Sequence, residues 1–587
     1  MPVREAELVI MRRTSFAQHC AEYLEMSGSG EFIAAAVLFA LMLVIRLVNI
    51  TRYAFDSDEP QHLHVIWGWT RGFVQYRDLF DNHMPLFHIM FAPIFGLIGE
   101  RATILYLMRF IMLPMYFVAA WCTYRIGASV FSKRVGVWAV ILAGLYSRYH
   151  LVSLEFRPDN LWAPLWLLCI SVLVGGPLTV RRALMAGLCL GMCFGLSMKS
   201  VLFLVSIGLA APLTLLLVGR RHLDESWPNL ARCVAAFLIS TLIVPLIIMG
   251  FFALKGVWRD FRYCVFDFNL LAPGAEQHSV FYDVRLVLIV TTAIVTFAYV
   301  AWRVTRISDN AGLAFRRGFL LIVCASYFLM MQFFWPLSRH DNDPPLYPLA
   351  AVLCCGALIA FLNALPSFGW NQVRILRSTP LLVFLALGEI GVLVSLQPIW
   401  KDRTQGETDL LRNTLALLGP DDYVLDLKGE TVFRRRCVRP AFEAITRSAI
   451  ERGILLNNVP QACVQTRTCA VATLLIKRFP RDTREFVKRN YVPVTSSLRV
   501  AGAELKASAT SPGRCEFNVT IPAEYELISP AQNVSGTLDG VPYNGARFLA
   551  AGTHTFESTS ISRDLILLWA QAADRHFTPF EHHTSSF

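Results

Sequence analysis

Leu242-Ile243-Val244-Pro245-Leu246-Ile247-Ile248-Met249-Gly250-Phe251-Phe252-Ala253-Leu254 carries no charged residue and no alternation of polar with apolar positions. A spanning strand would alternate, one side facing lipid and the other a lumen. A helix rising ~1.5 Å per residue needs about 20 apolar residues to cross a hydrocarbon core of roughly 30 Å. This stretch, extended back to Val234, meets that need and predicts a transmembrane helix. Comparable runs lie on either side: Phe32 to Ile50, Ile104 to Thr123, Val135 to Tyr149, Leu161 to Val174, Ala183 to Met198, Val201 to Val218, Leu286 to Trp302, Gly318 to Trp335, Leu346 to Leu362 and Pro380 to Leu396. The expected fold class is therefore a multi-pass α-helical membrane protein of about 11 transmembrane helices.

Composition agrees. Across 587 residues, 55% are hydrophobic and only 17% charged, and the mean hydropathy of +0.47 is too high for an ordinary soluble enzyme. Lys and Arg next to a span are retained on the cytoplasmic side. Arg12/Arg13, Lys133/Arg134, Arg181/Arg182, Arg220/Arg221, Arg303/Arg306/Arg316/Arg317 and Arg374/Arg377 all fall on one side, provided that Leu86 to Ile98 is an interfacial helix rather than a span. This places the N-terminus in the cytoplasm and everything after Leu396 outside it. The expected setting is a bacterial inner membrane. The net charge of +11 is absorbed by loops facing anionic headgroups, and no nucleic-acid motif accompanies it. Of the 14 cysteines, Cys437, Cys463, Cys469 and Cys515 are in the exported part, where disulfides are chemically open.

The predicted organisation is a cytoplasmic segment 1–31, a transmembrane domain 32–400 with a long first exported loop 51–102, and two exported modules. The first, 401–498, mixes short strands (DYVLDL, ATLLIK) with helical runs (PAFEAITRSAIERG, TREFVKRN), as in a small α/β unit. The second, 499–587, has CEFNVTI, AEYELIS, VSGTLDG and GTHTFES separated by turn residues, the pattern of a β-sandwich.

Polar chemistry concentrates in the exported loops. Directly after the first span comes Phe55-Asp56-Ser57-Asp58-Glu59-Pro60-Gln61-His62-Leu63-His64. Acids so close to hydrocarbon need a reason, and three are open. Asp58 or Glu59 could cap a helix starting near Pro60. Asp58 and His62, four apart on one helical face, could hold a divalent metal ion, with Asp56 nearby. A partly desolvated carboxylate with raised proton affinity could serve as a general base.

Further along stand Tyr76-Arg77-Asp78-Leu79-Phe80-Asp81-Asn82-His83-Met84-Pro85-Leu86-Phe87 and, in the second exported loop, Glu155-Phe156-Arg157-Pro158-Asp159-Asn160. DSDEPQHLHV, YRDLFDNHMPLFH and EFRPDN, in that order and with those spans between them, resemble the protein mannosyltransferase and aminoarabinose-transferase group of GT-C glycosyltransferases, over roughly Phe32 to Leu396. The resemblance implies a polyprenyl-phosphate-linked sugar donor, a lipid, glycan or protein acceptor outside the cytoplasm, and an acidic catalytic residue in the first exported loop. Asp58 matches the first acid of the family's Asp-Glu pair and Asp159 the acid of its second loop; Asp56 is an additional acid and a rival base. Asn82-His83-Met84-Pro85 occupies the place of the family's acid or Asn, then Lys or His, then two prolines. Met84 replaces a proline, and His83 stands where the aminoarabinose branch uses Lys.

On this reading Asp58 deprotonates the acceptor while cations neutralise the departing phosphate, for which the candidates are His83, Lys199 of GLSMKS, Arg259 and Arg262. A phosphate leaves without a second carboxyl acid to protonate it, unlike a glycosidase leaving group. Glu59, Asn82 and His340 are candidates for lining the loop or the acceptor entrance. For each cation a bland role also stands: Lys199 can snorkel, and Arg259 and Arg262 can face headgroups. A transporter or flippase of lipid-linked substrates is the competing class, but paired repeats and interrupted spans are not evident. A scaffold presenting the tail would leave the first-loop acids unexplained.

Overall fold

A computed structural model describes residues 16–218, 227–271, 311–335, 344–364, 379–506, 513–530, 534–558 and 565–580. A short α1 (Phe16–Tyr23) leads into α2 (Ser29–Ile50). The first loop folds as α3 (Asp58–Thr70) and α4 (Leu86–Ile98), followed by α5 (Ile104–Val130), α6 (Lys133–Leu145), α7 (Ser147–Val152), α8 (Asp159–Val174), α9 (Val180–Leu196), α10 (Ser200–Val218) and α11 (Trp227–Leu254). Then come α12 (Trp258–Arg262), α13 (Ala311–Phe334), α14 (Leu346–Ala364) and α15 (Thr379–Leu396). Ten of the eleven predicted runs are helical; Leu286 to Trp302 lies outside the described residues, as does His340.

Six of the described helices, α2, α5, α10, α11, α13 and α15, are long and apolar enough to cross a membrane. The run Val135 to Tyr149 departs from a single span. Its helix stops at Leu145, Tyr146 turns to an extended ψ of 115°, and α7 restarts at Ser147. His150 Nδ1 lies 2.9 Å from the Gly144 carbonyl across this break, and at the far end of α7 Arg46 donates to Ser153 Oγ (2.9 Å) and to the Ser153 carbonyl (2.5 Å) and lies over the Tyr116 ring. An intramembrane cation thus spends its charge on α7's carboxyl end, which terminates in unpaired carbonyls.

α9 and α11 pack closely because Gly187 and Gly191 remove side chains from the seam. A Cβ at Gly187 would sit 2.1 Å from Ser240 Oγ, and one at Gly191 2.7 Å from the Thr241 carbonyl. Small residues four apart let membrane helices approach to backbone contact. α4 is two-faced: Phe87, His88, Phe91 and Phe95 are buried, while Met90, Ile94 and Leu97 face outward.

Beyond α15 the chain forms a separate tail domain with its own core. Its helices are α16 (Gln405–Leu417), α17 (Ala444–Glu451), α18 (Val459–Gln465), α19 (Arg481–Asn490) and α20 (Ala570–Asp574). The strands relevant here are β1 (Tyr423–Leu425), β2 (Arg435–Arg436), β3 (Ala470–Ala472), β4 (Tyr491–Pro493), β5 (Leu498–Leu505), β6 (Arg514–Val519), β7 (Ala523–Ile528), β8 (Thr537–Leu538), β9 (Val541–Pro542), β10 (Arg547–Leu549), β11 (Gly552–Glu557) and β12 (Leu565–Trp569). Eight form one mixed sheet in the order β10-β7-β12-β5-β3-β1-β2, with β4 also on β5; a second sheet runs β6-β11-β8-β9.

This corrects the expected division at 498/499. β5, the first strand of the anticipated sandwich, pairs with β3 on one side and with β12 on the other, so one sheet and one core continue across the boundary. The change from α/β to β-rich sequence is real, but the strands on either side of it bury a shared apolar face rather than two. Within this core Cys437 and Cys463 lie with sulfurs 3.6 Å apart.

The tail sits directly on the first loop. Arg434 Nη1 reaches Glu100 Oε2 at 3.1 Å, Phe433 meets Phe95 with ring centres 5.9 Å apart, and Arg439 bonds the Asp260 carboxylate (2.7 Å) and the Tyr76 carbonyl (2.8 Å).

Candidate active site

The amino end of α3 is where the neighbouring acids Asp56, Asp58 and Glu59 separate into different tasks. Asp56 caps the helix, its Oδ1 accepting the Asp58 N–H at 2.9 Å, and Glu59 Oε1 accepts the Asp56 N–H at 2.9 Å. The capping expected of Asp58 thus falls to its neighbours, which satisfy amides left open at a helix start. Glu59 is fully buried. It pairs with Arg109 of α5 through Nε (2.7 Å) and Nη2 (2.5 Å) and also accepts the Phe156 N–H at 2.8 Å. Arg109 spends its remaining donors on the carbonyls of Ile50, Tyr53 and Ala54. This forked pair ties α2, α3, α5 and the second loop into one rigid mount, and Glu59 does not line an entrance.

Asp58, one residue earlier, is about one quarter exposed. Its Oδ1 accepts from Lys428 Nζ, and its Oδ2 lies 3.0 Å from Arg157 Nη2. Burial alone would raise its proton affinity, but Lys428, Arg157 and His62 outweigh it and hold the carboxyl well below the ordinary carboxylate range. The expected raised affinity is therefore corrected: Asp58 is held ionised, with both of its oxygens on cations.

Arg157 is the hub. Besides Asp58, its guanidinium lies within 3.1 Å of Glu155, 3.6 Å of Asp159 and 3.8 Å of Asp56. Asp159, at the start of α8, takes Lys199 Nζ on Oδ1 at 2.7 Å. The structure thus brings together Asp56, Asp58, Asp159 and Lys199 from three separate stretches. Burial, against the pull of Arg157, pushes Glu155 well above its ordinary value.

His83 borders the same space. Its Nδ1 lies 2.8 Å from Asp81 Oδ1, and its ring meets His62 edge-on at 4.6 Å. Burial would lower its proton affinity, but Asp81 overrides this and raises it, so His83 is a cation over a wider pH range than free histidine. His62 is pushed the other way by burial and by His83 and His88, and its Nδ1 is 3.1 Å from His88 Nε2. With both Asp58 oxygens on cations and His62 turned to His88, the two are not assembled as metal ligands. Among the described residues no group of three or more His, Cys, Asp or Glu is placed to hold a metal ion. Asn82 points elsewhere: it bonds Asn269 at 3.2 Å and joins the first loop to the segment after α12.

Arg259 and Arg262, on α12, are exposed, and Arg262 pairs with Asp267 at 3.2 Å. They do not join the cluster. The cation that does join it, and that sequence reasoning missed, is Lys428 of the tail. It lies in the loop after β1, at the carboxyl end of a parallel strand pair, where α/β sheets place functional loops. The Leu-Lys-Gly step closing DYVLDLKG was the available signal.

Residues 82–244 match the family model described as dolichyl-phosphate-mannose-protein mannosyltransferase. The structure is similar to that of ArnT from Cupriavidus metallidurans in the apo state, with 13% identity over 79% of this chain and 97% of that one, and a TM-score of 0.53. It is equally similar to the same protein bound to undecaprenyl phosphate, with 14% identity over 77% and 94% of the two chains and a TM-score of 0.53. A weaker likeness, TM-score 0.41 and 12% identity over 81% and 74%, is to the oligosaccharyltransferase of Archaeoglobus fulgidus. No curated protein matches by sequence. The resemblance read from the ordered motifs is borne out: the chain is a multi-pass membrane protein with the GT-C fold.

Proposed function

We propose that this GT-C protein transfers a sugar, hexosyl or pentosyl, from a polyprenyl-phosphate donor to a hydroxyl of a lipid, glycan or protein acceptor. The observation that carries the reading is the partly buried cluster of Asp58, Arg157, Asp159 and Lys199, set at one end of the bundle beneath the tail. The match of residues 82–244 to a polyprenyl-phosphate-mannose family and a structural relative solved with undecaprenyl phosphate support the donor class.

Asp58 accepts the proton of the acceptor hydroxyl as its oxygen bonds to the anomeric carbon. The bond from that carbon to the phosphate oxygen breaks, and the phosphate leaves with the electron pair. Positive charge fixed before the reaction stabilises the departing phosphate; Lys199 and protonated His83 supply it in this reading. Asp159 orients Lys199, and Arg157 holds Asp58 and Asp159 in register. Asp56, occupied as a cap, is the less suited base. The basic residues flanking the spans support a cytoplasmic N-terminus, with the cluster and tail on the opposite face of what we take to be a bacterial inner membrane. A transporter would place its polar groups near mid-membrane, whereas these gather at one end of the bundle.

The test is transfer of radiolabelled sugar from membrane polyprenyl-phosphate donors by wild type and Asp58→Asn at matched folded yield. Loss of transfer in the variant is expected; undiminished transfer would remove Asp58 as the base, and no transfer by wild type with any donor would overturn the reading.

A further inference from the structure

Lys428 reaches the cluster from 370 residues away in sequence, and the loop that carries it is built for that purpose. Asp426 Oδ1 accepts from Gly429 N–H (3.0 Å) and Arg436 Nε (2.7 Å), and its Oδ2 accepts from Thr431 N–H (3.2 Å) and the Thr431 hydroxyl (2.8 Å). Gly429 sits at φ +108°, and a Cβ there would meet the His64 side chain at 2.8 Å. Val432 is held at φ +53°, a costly conformation for a β-branched residue, and its carbonyl accepts from His64 Nδ1 at 2.9 Å. The backbone is thus locked against α3, and the lysine side chain, only 5% exposed, reaches Asp58 from it.

The cations of the cluster differ in how they are committed. Arg157 is shared among four carboxylates. Among the described residues Lys428 has one ion-pair partner, Asp58, and Asp58 is the base of the proposed transfer. A base whose oxygens both carry cations must be uncovered before it can take a proton from an acceptor. An ammonium is a compact charge on a flexible stem, suited to exchanging one anion for another.

We propose that Lys428 is a donor-binding residue supplied by the tail domain, leaving Asp58 for the phosphate of the polyprenyl-linked sugar and so uncovering the base as the donor binds. This rests on the transfer reading above and extends the site to a part of the chain outside the match at 82–244. Burial opposes a charge on Lys428, and Asp58, helped by Glu443 and Asp56, outweighs it and raises its proton affinity; in the exchange the donor phosphate takes over the part of Asp58, while Arg157 stays on Asp58 after the lysine departs.

The experiment uses the full chain in nanodiscs and a zero-length carbodiimide, which joins a carboxylate to a contacting amine. The Asp58–Lys428 linked peptide, read by mass spectrometry, is expected without ligand and is expected to fall at least several-fold with saturating polyprenyl phosphate but not with the corresponding polyprenol. In parallel, Lys428→Met is expected to raise the donor KM about tenfold with a smaller change in kcat, and Lys428→Arg to restore part of it, at unchanged thermal unfolding. A cross-link insensitive to polyprenyl phosphate, or a Lys428→Met variant that lowers kcat with KM unmoved, would overturn the proposal. Suppression of the cross-link in a protein that transfers no sugar would sink the transfer reading and leave phosphate binding standing.

Discussion

Two ion pairs stand side by side at the start of α3. Arg109–Glu59 is wholly buried, with both side chains at 0% exposure, and each partner's polar atoms end on protein. Lys428–Asp58 is looser in setting: its lysine is 5% exposed and arrives from another domain, but Asp58 keeps 24% exposure. The same chemistry builds a mount in one case and a working part in the other. What separates them is whether an incoming anion or hydroxyl can compete for the charge.

The comparison breaks most severely at the mount. Glu59→Gln leaves a fully buried guanidinium without its carboxylate, a loss of about 3–5 kcal/mol for a broken buried pair; thermal unfolding and folded yield in detergent should collapse before activity can be assayed. Asp58→Asn should do the reverse, keeping the fold while transfer falls by about 10²–10⁴-fold, the usual share of a general base. Asp58 also fixes a pH sign. Its folded affinity is depressed, so its share of stability is complete above the ordinary carboxylate value of about 3.9 and is lost only as pH falls through the lower folded value; an acid-unfolding series on wild type and Asp58→Asn reads the difference.

His83 sharpens the contrast more gently. Its proton is held more tightly than in free histidine, so its cationic contribution is full below about pH 6.5 and disappears as pH rises through the folded value. Donor KM should climb over that range in wild type, and His83→Gln should flatten the climb, with an effect of several-fold. Smallest of all, Arg259→Ala and Arg262→Ala, on the exposed α12, should leave transfer unchanged and stability within about 0.5 kcal/mol, measured by the same assays.

Much of this was legible because membrane helices write their length into the sequence, and because Asp58, Asp159 and Lys199 each lie beside an apolar run whose end fixes their depth. Arg157 was visible as a neighbour of Glu155 and Asp159 but not as the hub, since Asp56 and Asp58 come from the first loop, about a hundred residues earlier. Arg109 and Glu59 form a pair 50 residues apart that no periodicity links. The exposure of α12 could not be read from Arg259 and Arg262, because an arginine at an interface has the same local signature whether it faces headgroup or substrate. The tail misled differently. A change of residue pattern at 498 marks where strands come to outnumber helices, not where the sheet ends.

That sheet carries a consequence for biogenesis. β12 lies between β5 and β7, and beyond it Gln571 and Arg575 bond back to the carbonyls of Leu417 and Ala416 at the close of α16. A central strand made late in synthesis means that the domain cannot complete its pairing until residue 575 is available, long after the helical bundle has been laid down. Pairings of such long sequence separation form slowly. Completion of the sheet that carries the Lys428 loop therefore waits on residues made well after the helical bundle.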